Sequence, residues 1–261
     1  MRRHGPRVGL VLTLAALSCA HRIPLAPELA VADTRALVAR MREHAVVKPA
    51  YSAELRVTYF GREGRLRTTG SLAVMRPSSL RYELQGPHGG VVEAFATNGV
   101  ELQLLDARSS RFVYGPARPE NLDAVLSFAP LSLEATQWVG LFFGEVEPPE
   151  DAPWRYDERT GRFVVGWLRA DLSLEVELEP RTARIEVLRL RRGGQLLAEV
   201  TVAGRDRDGL PEALHMKAPR ADVEIELALA DVDFEVELEP STFVLDAPAG
   251  AMPVRVEHFR R

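Results

Sequence analysis

Cysteine is nearly absent: the 261 residues hold a single one, Cys19. That excludes an internal disulfide framework and any paired-cysteine metal or redox site. Basic excess is missing as well. With 33 basic residues against 37 acidic ones the formal charge is −4, and no basic cluster interleaved with aromatics offers a surface to nucleic acid or to anionic headgroups. Long apolar runs are scarce; the only one, residues 8–17, falls short of the roughly 20 residues that a membrane-spanning helix needs. Catalytic signatures are lacking too. His4, His21, His44, His88, His215 and His258 show no HExxH spacing, and there is no GxSxG elbow, Walker loop or GxGxxG turn. Glu175, Glu177 and Glu179 alternate along one strand, about 7 Å apart from one to the next, which suits a solvated face better than a carboxylate pair or a calcium site. The hexapeptide EVELEP occurs twice, at 175–180 and 235–240, and reads as two independent strands, since a repeat architecture needs at least three copies. No enzyme, metal or cofactor is expected.

What is present begins at the N-terminus. Arg2, Arg3 and Arg7 precede the apolar run, and small residues follow around Ser18, Cys19 and Ala20, the layout of a secretory signal. Two cleavages fit. Cutting before Cys19 makes residues 1–18 a lipoprotein signal peptide and residues 19–27 a lipidated cysteine with a short tether, whereas cutting after Ala20 releases a soluble protein. The solitary cysteine at the cleavage point favours the lipid anchor. Residues 28–47 carry Val31, Val38, Met41 and Ala45 on one stripe beside Ala30 and Leu37 and read as an amphipathic helix stopped by Pro49.

From Tyr51 the hydrophobic period becomes two, and strands are expected at 51–59, 66–74, 80–85, 91–96, 100–105 and 111–114, then after residue 150 at 154–157, 162–168, 172–179, 184–191, 196–203, 214–217 and 223–239. Between the two groups, residues 122–144 place Ala135, Trp138, Val139 and Phe142 at helical spacing behind Ser132, a candidate cap, with Gly144 as the stop. Short connections make neighbouring strands antiparallel. A sheet of about 11 strands curls, so the expected fold is mainly β: an open antiparallel half-barrel over residues 28–261, with helices covering its concave face. The inward set would be Leu72, Val74, Tyr82, Leu84, Leu102, Leu104, Phe112 and Tyr114, facing Trp138, Val139 and Phe142. These residues either form a packed core or line a lipid-binding cavity.

Several short motifs together resemble the LolA/LolB-type periplasmic lipoprotein carriers and receptors, nearest the outer-membrane receptor branch, LolB. They are Leu80-Arg81-Tyr82 before the Gly86-Pro87-His88-Gly89 turn, Leu102-Gln103-Leu104-Leu105-Asp106, Arg111-Phe112, Ala129-Pro130-Leu131 with Leu133, and Gln137-Trp138-Val139-Gly140. Residues 243–248 are similar to the last strand of that superfamily. The resemblance implies an unclosed barrel whose cavity takes the acyl chains of a lipoprotein or another lipid, a periplasmic carrier protein as partner, and an outer-membrane location through the lipid on Cys19, with Ala20 beside it pointing the same way. It also implies a membrane-contact turn at Pro87 and His88, where the receptor carries an exposed leucine. His88 is a poor lipid anchor, which leaves open a structural or assembly lipoprotein whose barrel is plugged.

Overall fold

The computed structural model describes residues 22–62, 64–126 and 131–259, so the expected signal peptide, Cys19, and Ala129 and Pro130 lie outside the described residues. The alternating segments form six strands: β1 (Ala50–Gly61), β2 (Gly64–Met75), β3 (Ser79–Gln85), β4 (Val91–Thr97), β5 (Glu101–Asp106) and β6 (Arg111–Pro116). A second series follows: β7 (Trp154–Asp157), β8 (Arg162–Arg169), β9 (Leu172–Leu178), β10 (Ile185–Arg192), β11 (Gln195–Arg205), β12 (Pro211–Ala218) and β13 (Val223–Asp233), with a short β14 (Met252–Arg255) near the C-terminus. They make one sheet in the order β14-β6-β5-β4-β3-β2-β1-β13-β12-β11-β10-β9-β8-β7. Each half is a meander. The halves join where β13 pairs antiparallel with β1, and among the described residues the one parallel pair is β14 on β6. The sheet is the expected open half-barrel, with 14 strands among the described residues rather than about 11.

Because neighbours alternate in direction, the turns sort onto two rims. The upper rim carries the β1–β2, β3–β4, β5–β6, β8–β9, β10–β11 and β12–β13 turns; the lower rim carries the others, including β7–β8 at 158–161. Cross-strand register places Tyr51, Leu72, Tyr82, Phe95, Leu104 and Val113 on the concave face, continued on the other side by Leu227, Leu214, Val200, Leu188, Val176 and Val165. All twelve are buried, so the apolar half of each alternating strand supplies one continuous core.

Among the described residues, three α-helices cover this face. The first, α1 (Thr34–Glu43), is shorter than the residue 28–47 stripe: Asp33 accepts a hydrogen bond from the Ala36 backbone N–H at 2.8 Å and fixes the start, while residues 27–29 form a separate 3-10 turn. The central segment yields two helices, α2 (Pro119–Val125) and α3 (Ala135–Phe142). The cap of α3 is Glu134, in a reciprocal box with Gln137, and not Ser132. Ser132 instead sits at positive φ and bonds Asp123 through its backbone N–H and hydroxyl.

Two further expectations change. Only the first EVELEP lies in a strand; β13 ends at Asp233, so the second copy falls outside it. Phe243 belongs to a 3-10 turn, Pro240–Phe243, and residues 244–248 form no strand. Nor are the glutamates of β9 simply solvated. Glu177 is buried, accepting from Arg162 at 2.8 Å and from Arg189, which also bonds Glu199.

Candidate functional site: a cavity under the upper rim

The lower half of the concave face is filled. Helix α3 descends from Arg169, whose guanidinium donates to the Ser132 carbonyl and the Gln137 side chain, to the base of β1, where the Tyr51 hydroxyl donates to the Phe142 carbonyl at 3.1 Å. Trp138, Val139 and Phe142 are 1–3% exposed and packed in the core with Leu72, Val74, Leu102 and Leu104. The Tyr51 ring meets Phe143 edge-on, and its burial pushes the phenol far above its ordinary pKa.

Two members of the expected inward set face the other way. Val113, not Phe112, pairs with the concave Leu104, so Phe112 and Tyr114 project from the convex face, where they border a shallow pocket with Leu245 and Arg255. The convex side of β5 and β6 is covered there by the C-terminal segment, which is why apolar residues occur on both faces of β6. That segment then turns under the edge of the sheet, and Val256 leaves no room for a side chain at Gly115.

The open space lies higher. An open cavity of about 1070 Å³ runs at the upper rim around the free part of β2, lined from the concave side by Val57, Leu66, Thr68, Leu84, Glu93, Asp106 and Arg111, by Gly86, Pro87 and Arg108 of the rim turns, and from the convex side by Arg56, Thr58, Arg67, Thr69, Glu226 and Ala228. It is as large as the largest of the usual small-molecule sites, roughly 300–1000 Å³. Its origin is a step in the sheet. Strand β2 pairs with β1 along its whole length, from Gly64 to Met75, but with β3 only from Gly70 to Met75, because Gly86-Pro87 turns β3 away after Gln85. The Thr68 hydroxyl, donating to the Gln85 carbonyl at 2.5 Å, marks the point where the two strands part. Space that another turn of β3 would occupy is left to the cavity.

Two acidic groups of the lining, Glu93 and Asp106, are held in place. Glu93 accepts from the Tyr82 hydroxyl at 2.8 Å. Burial works to raise the Asp106 carboxyl, but hydrogen bonds from the side chain and backbone of Ser109, the charge of Arg111 and the backbone of Arg108 hold it below the ordinary carboxylate range. Arg111 bonds the Ser109 hydroxyl at 2.7 Å and lies over the ring of Phe259, 5.2 Å away, which ties it to the C-terminal segment. No cluster of metal-ligating side chains occurs among the described residues.

Of the residues expected to line a lipid site, the cavity takes Leu84; Pro87, expected in a membrane-contact turn, borders it too, and His88 is exposed on that turn. Leu72, Val74, Tyr82, Leu102, Leu104, Trp138, Val139 and Phe142 are placed together, in the packed region beneath. Val57, Leu66, Thr68, Glu93, Asp106, Arg108 and Arg111 were not anticipated, although the unequal lengths of β2 and β3, 12 residues against 7, are visible in where the alternation begins and where Gly86-Pro87 stops it.

Comparison with solved structures now bears on this architecture. A domain named for outer membrane lipoprotein sorting, from Vibrio parahaemolyticus, superposes with a TM-score of 0.58 over 80% of this chain and 95% of its own, at 12% identity. A LolA superfamily protein from Nitrosomonas europaea gives 0.54 over 82% and 99%, at 10% identity. The fold is LolA/LolB-like. A DUF1329 family protein from Desulfovibrio piger shares this LolA/LolB-like architecture, with a TM-score of 0.58 at 8% identity over 81% of this chain and 95% of its own. No family model and no curated protein matches the sequence. Identity this low speaks for the LolA/LolB-like fold alone.

Proposed function

We propose that the protein binds the acyl chains of a lipid or lipoprotein in the cavity under the upper rim, and that it does so in the cell envelope as a lipoprotein anchored through Cys19. The observation that carries the reading is the cavity itself, with apolar walls at Val57, Leu66 and Leu84 inside a fold shared with a lipoprotein-sorting domain. Burial of each methylene contributes about 0.8 kcal/mol, so one long acyl chain gains on the order of ten kcal/mol. A bilayer offers the same gain, so transfer needs only a nearly balanced competition between cavity and membrane. By resemblance the cargo is a lipoprotein received at the outer membrane from a soluble periplasmic carrier, in the manner of LolB. A second reading, a structural lipoprotein with a plugged barrel and no ligand, is favoured by the dense packing of α3 in the lower half.

Displacement of a fluorescent fatty acid by a lipidated peptide, with its unlipidated twin as control, separates the two. Leu66 lines the cavity and is 51% exposed, so Leu66→Gln is expected to weaken probe binding several-fold while leaving stability within about 0.5 kcal/mol of the parent. A parent protein that never takes up the probe, and carries no lipid in native mass spectrometry, overturns the acyl-binding reading in favour of the plugged barrel.

A further inference from the structure

The fold keeps its outer sheet edges short. β7 and β14 are four-residue strands, and β14 contains Pro253, the usual means of preventing a sheet from adding foreign strands. The inner step is treated differently. From Gly64 to Thr69 β2 is paired only with β1, which leaves about 20 Å of strand edge with its alternate N–H and C=O groups directed away from β1. This edge forms part of the cavity wall, since Leu66, Arg67, Thr68 and Thr69 all line the opening. Side chains alternate along it: Leu66 and Thr68 share the concave face with Val57, while Arg65 and Arg67 point to the convex one. Both arginines are exposed and form no ion pair with a described residue; Arg65 lies over the Phe60 ring. Like charges on the edge oppose its pairing with the same edge of a second copy and favour a strand that brings carboxylates to the outer face.

We infer that the free edge of β2 receives the polypeptide attached to a cavity-bound acyl chain as an added antiparallel or parallel strand, small or apolar side chains facing inward and acidic ones facing Arg65 and Arg67. The inference rests on the acyl-binding reading and gives it a substrate class: an acylated protein whose segment next to the lipid is extended and acidic on one face. Main-chain hydrogen bonds would supply affinity irrespective of sequence, and the alternation would supply selectivity.

The test uses the whole chain and a palmitoylated peptide of six residues alternating Glu with Ser. Two analogues carry N-methyl groups on alternate amides, one set on each register, a third replaces Glu by Lys, and free palmitate is the reference. Affinities are read by probe displacement, and exchange of amides 65–69 by mass spectrometry. Expected are a loss of at least tenfold for one N-methyl register only, a loss for the Lys peptide that shrinks with added salt, and slowed exchange at 65–69 with the parent peptide. Equal affinity of both N-methyl analogues and the parent overturns the strand addition while palmitate binding leaves the acyl reading standing. If palmitate itself does not bind, the acyl reading fails and the inference with it. Protection of the same amides that rises with protein concentration in the absence of peptide assigns the edge to a second copy and also overturns it.

Discussion

At the scale of single residues, two positions show how closely the sheet constrains its sequence. Gly70 stands where β2 begins to pair with β3, and a Cβ there would fall inside the carbonyl oxygen of Glu83, a backbone atom that cannot swing aside. Gly70→Ala is expected to cost about 1–3 kcal/mol through this overpacking, read as a lowered midpoint in chemical denaturation. Glu177 is the second. Burial would raise its carboxyl, but Arg189 and Arg162 outweigh that and hold it below the ordinary range. A carboxyl lowered on folding adds stability above its unfolded pKa, near 4.3, and loses that contribution as pH falls through the folded value. Glu177→Gln should therefore lower stability by roughly 1–3 kcal/mol at pH 7 and narrow its difference from the parent towards pH 3; parallel pH profiles would count against the pairing. The sequence displays alternation at 175, 177 and 179 but not the arginines on the two flanking strands, β8 and β10, so the network stayed hidden. Phe112 and Tyr114 misled for a related reason: a strand covered on both faces has no polar side to reveal which way it points.

Among the elements, α3 was legible because its stripe is short, apolar and ended by Gly144. Its cap was less so, because a serine and a glutamate both precede it and only the chain's entry angle decides between them. The helix fills the lower half of the concave face as core. Phe142→Ala is expected to cost about 3–5 kcal/mol, as for a buried aromatic, with little change in fatty-acid affinity per folded molecule, since Phe142 does not line the cavity. A stable variant that loses probe binding would move the ligand site down to α3. The strands were legible by period, whereas the cavity depends on which strands stop early. Composition says nothing about that; Gly86-Pro87 against the continuing β2 says it only once the pairing is known.

For the whole molecule, the half-barrel and its antiparallel meander follow from turn spacing alone, while the closure of β13 on β1 and the parallel β14 are long-range pairings without a local signal. Cys19→Ala is expected to shift the protein from the membrane to the soluble fraction on cell fractionation; a variant that stays in the membrane, with a parent mass showing cleavage after Ala20, refutes the anchor. If the anchor holds, the entry of the chain puts it beside the rim opposite the mouth. The Ile23 N–H donates to the Glu158 carbonyl on the lower rim, and Cys19 precedes it by four residues, at most about 14 Å of chain. The Pro87-His88 turn stands on the upper rim, separated from the lower one by a strand such as β1, 12 residues or roughly 40 Å long. A barrel tethered in this way stands on its closed end, so the turn expected to touch lipid points away from the leaflet that holds the anchor. Such a molecule meets arriving cargo head-on, and it must tip over before anything in its mouth can enter the membrane beneath it.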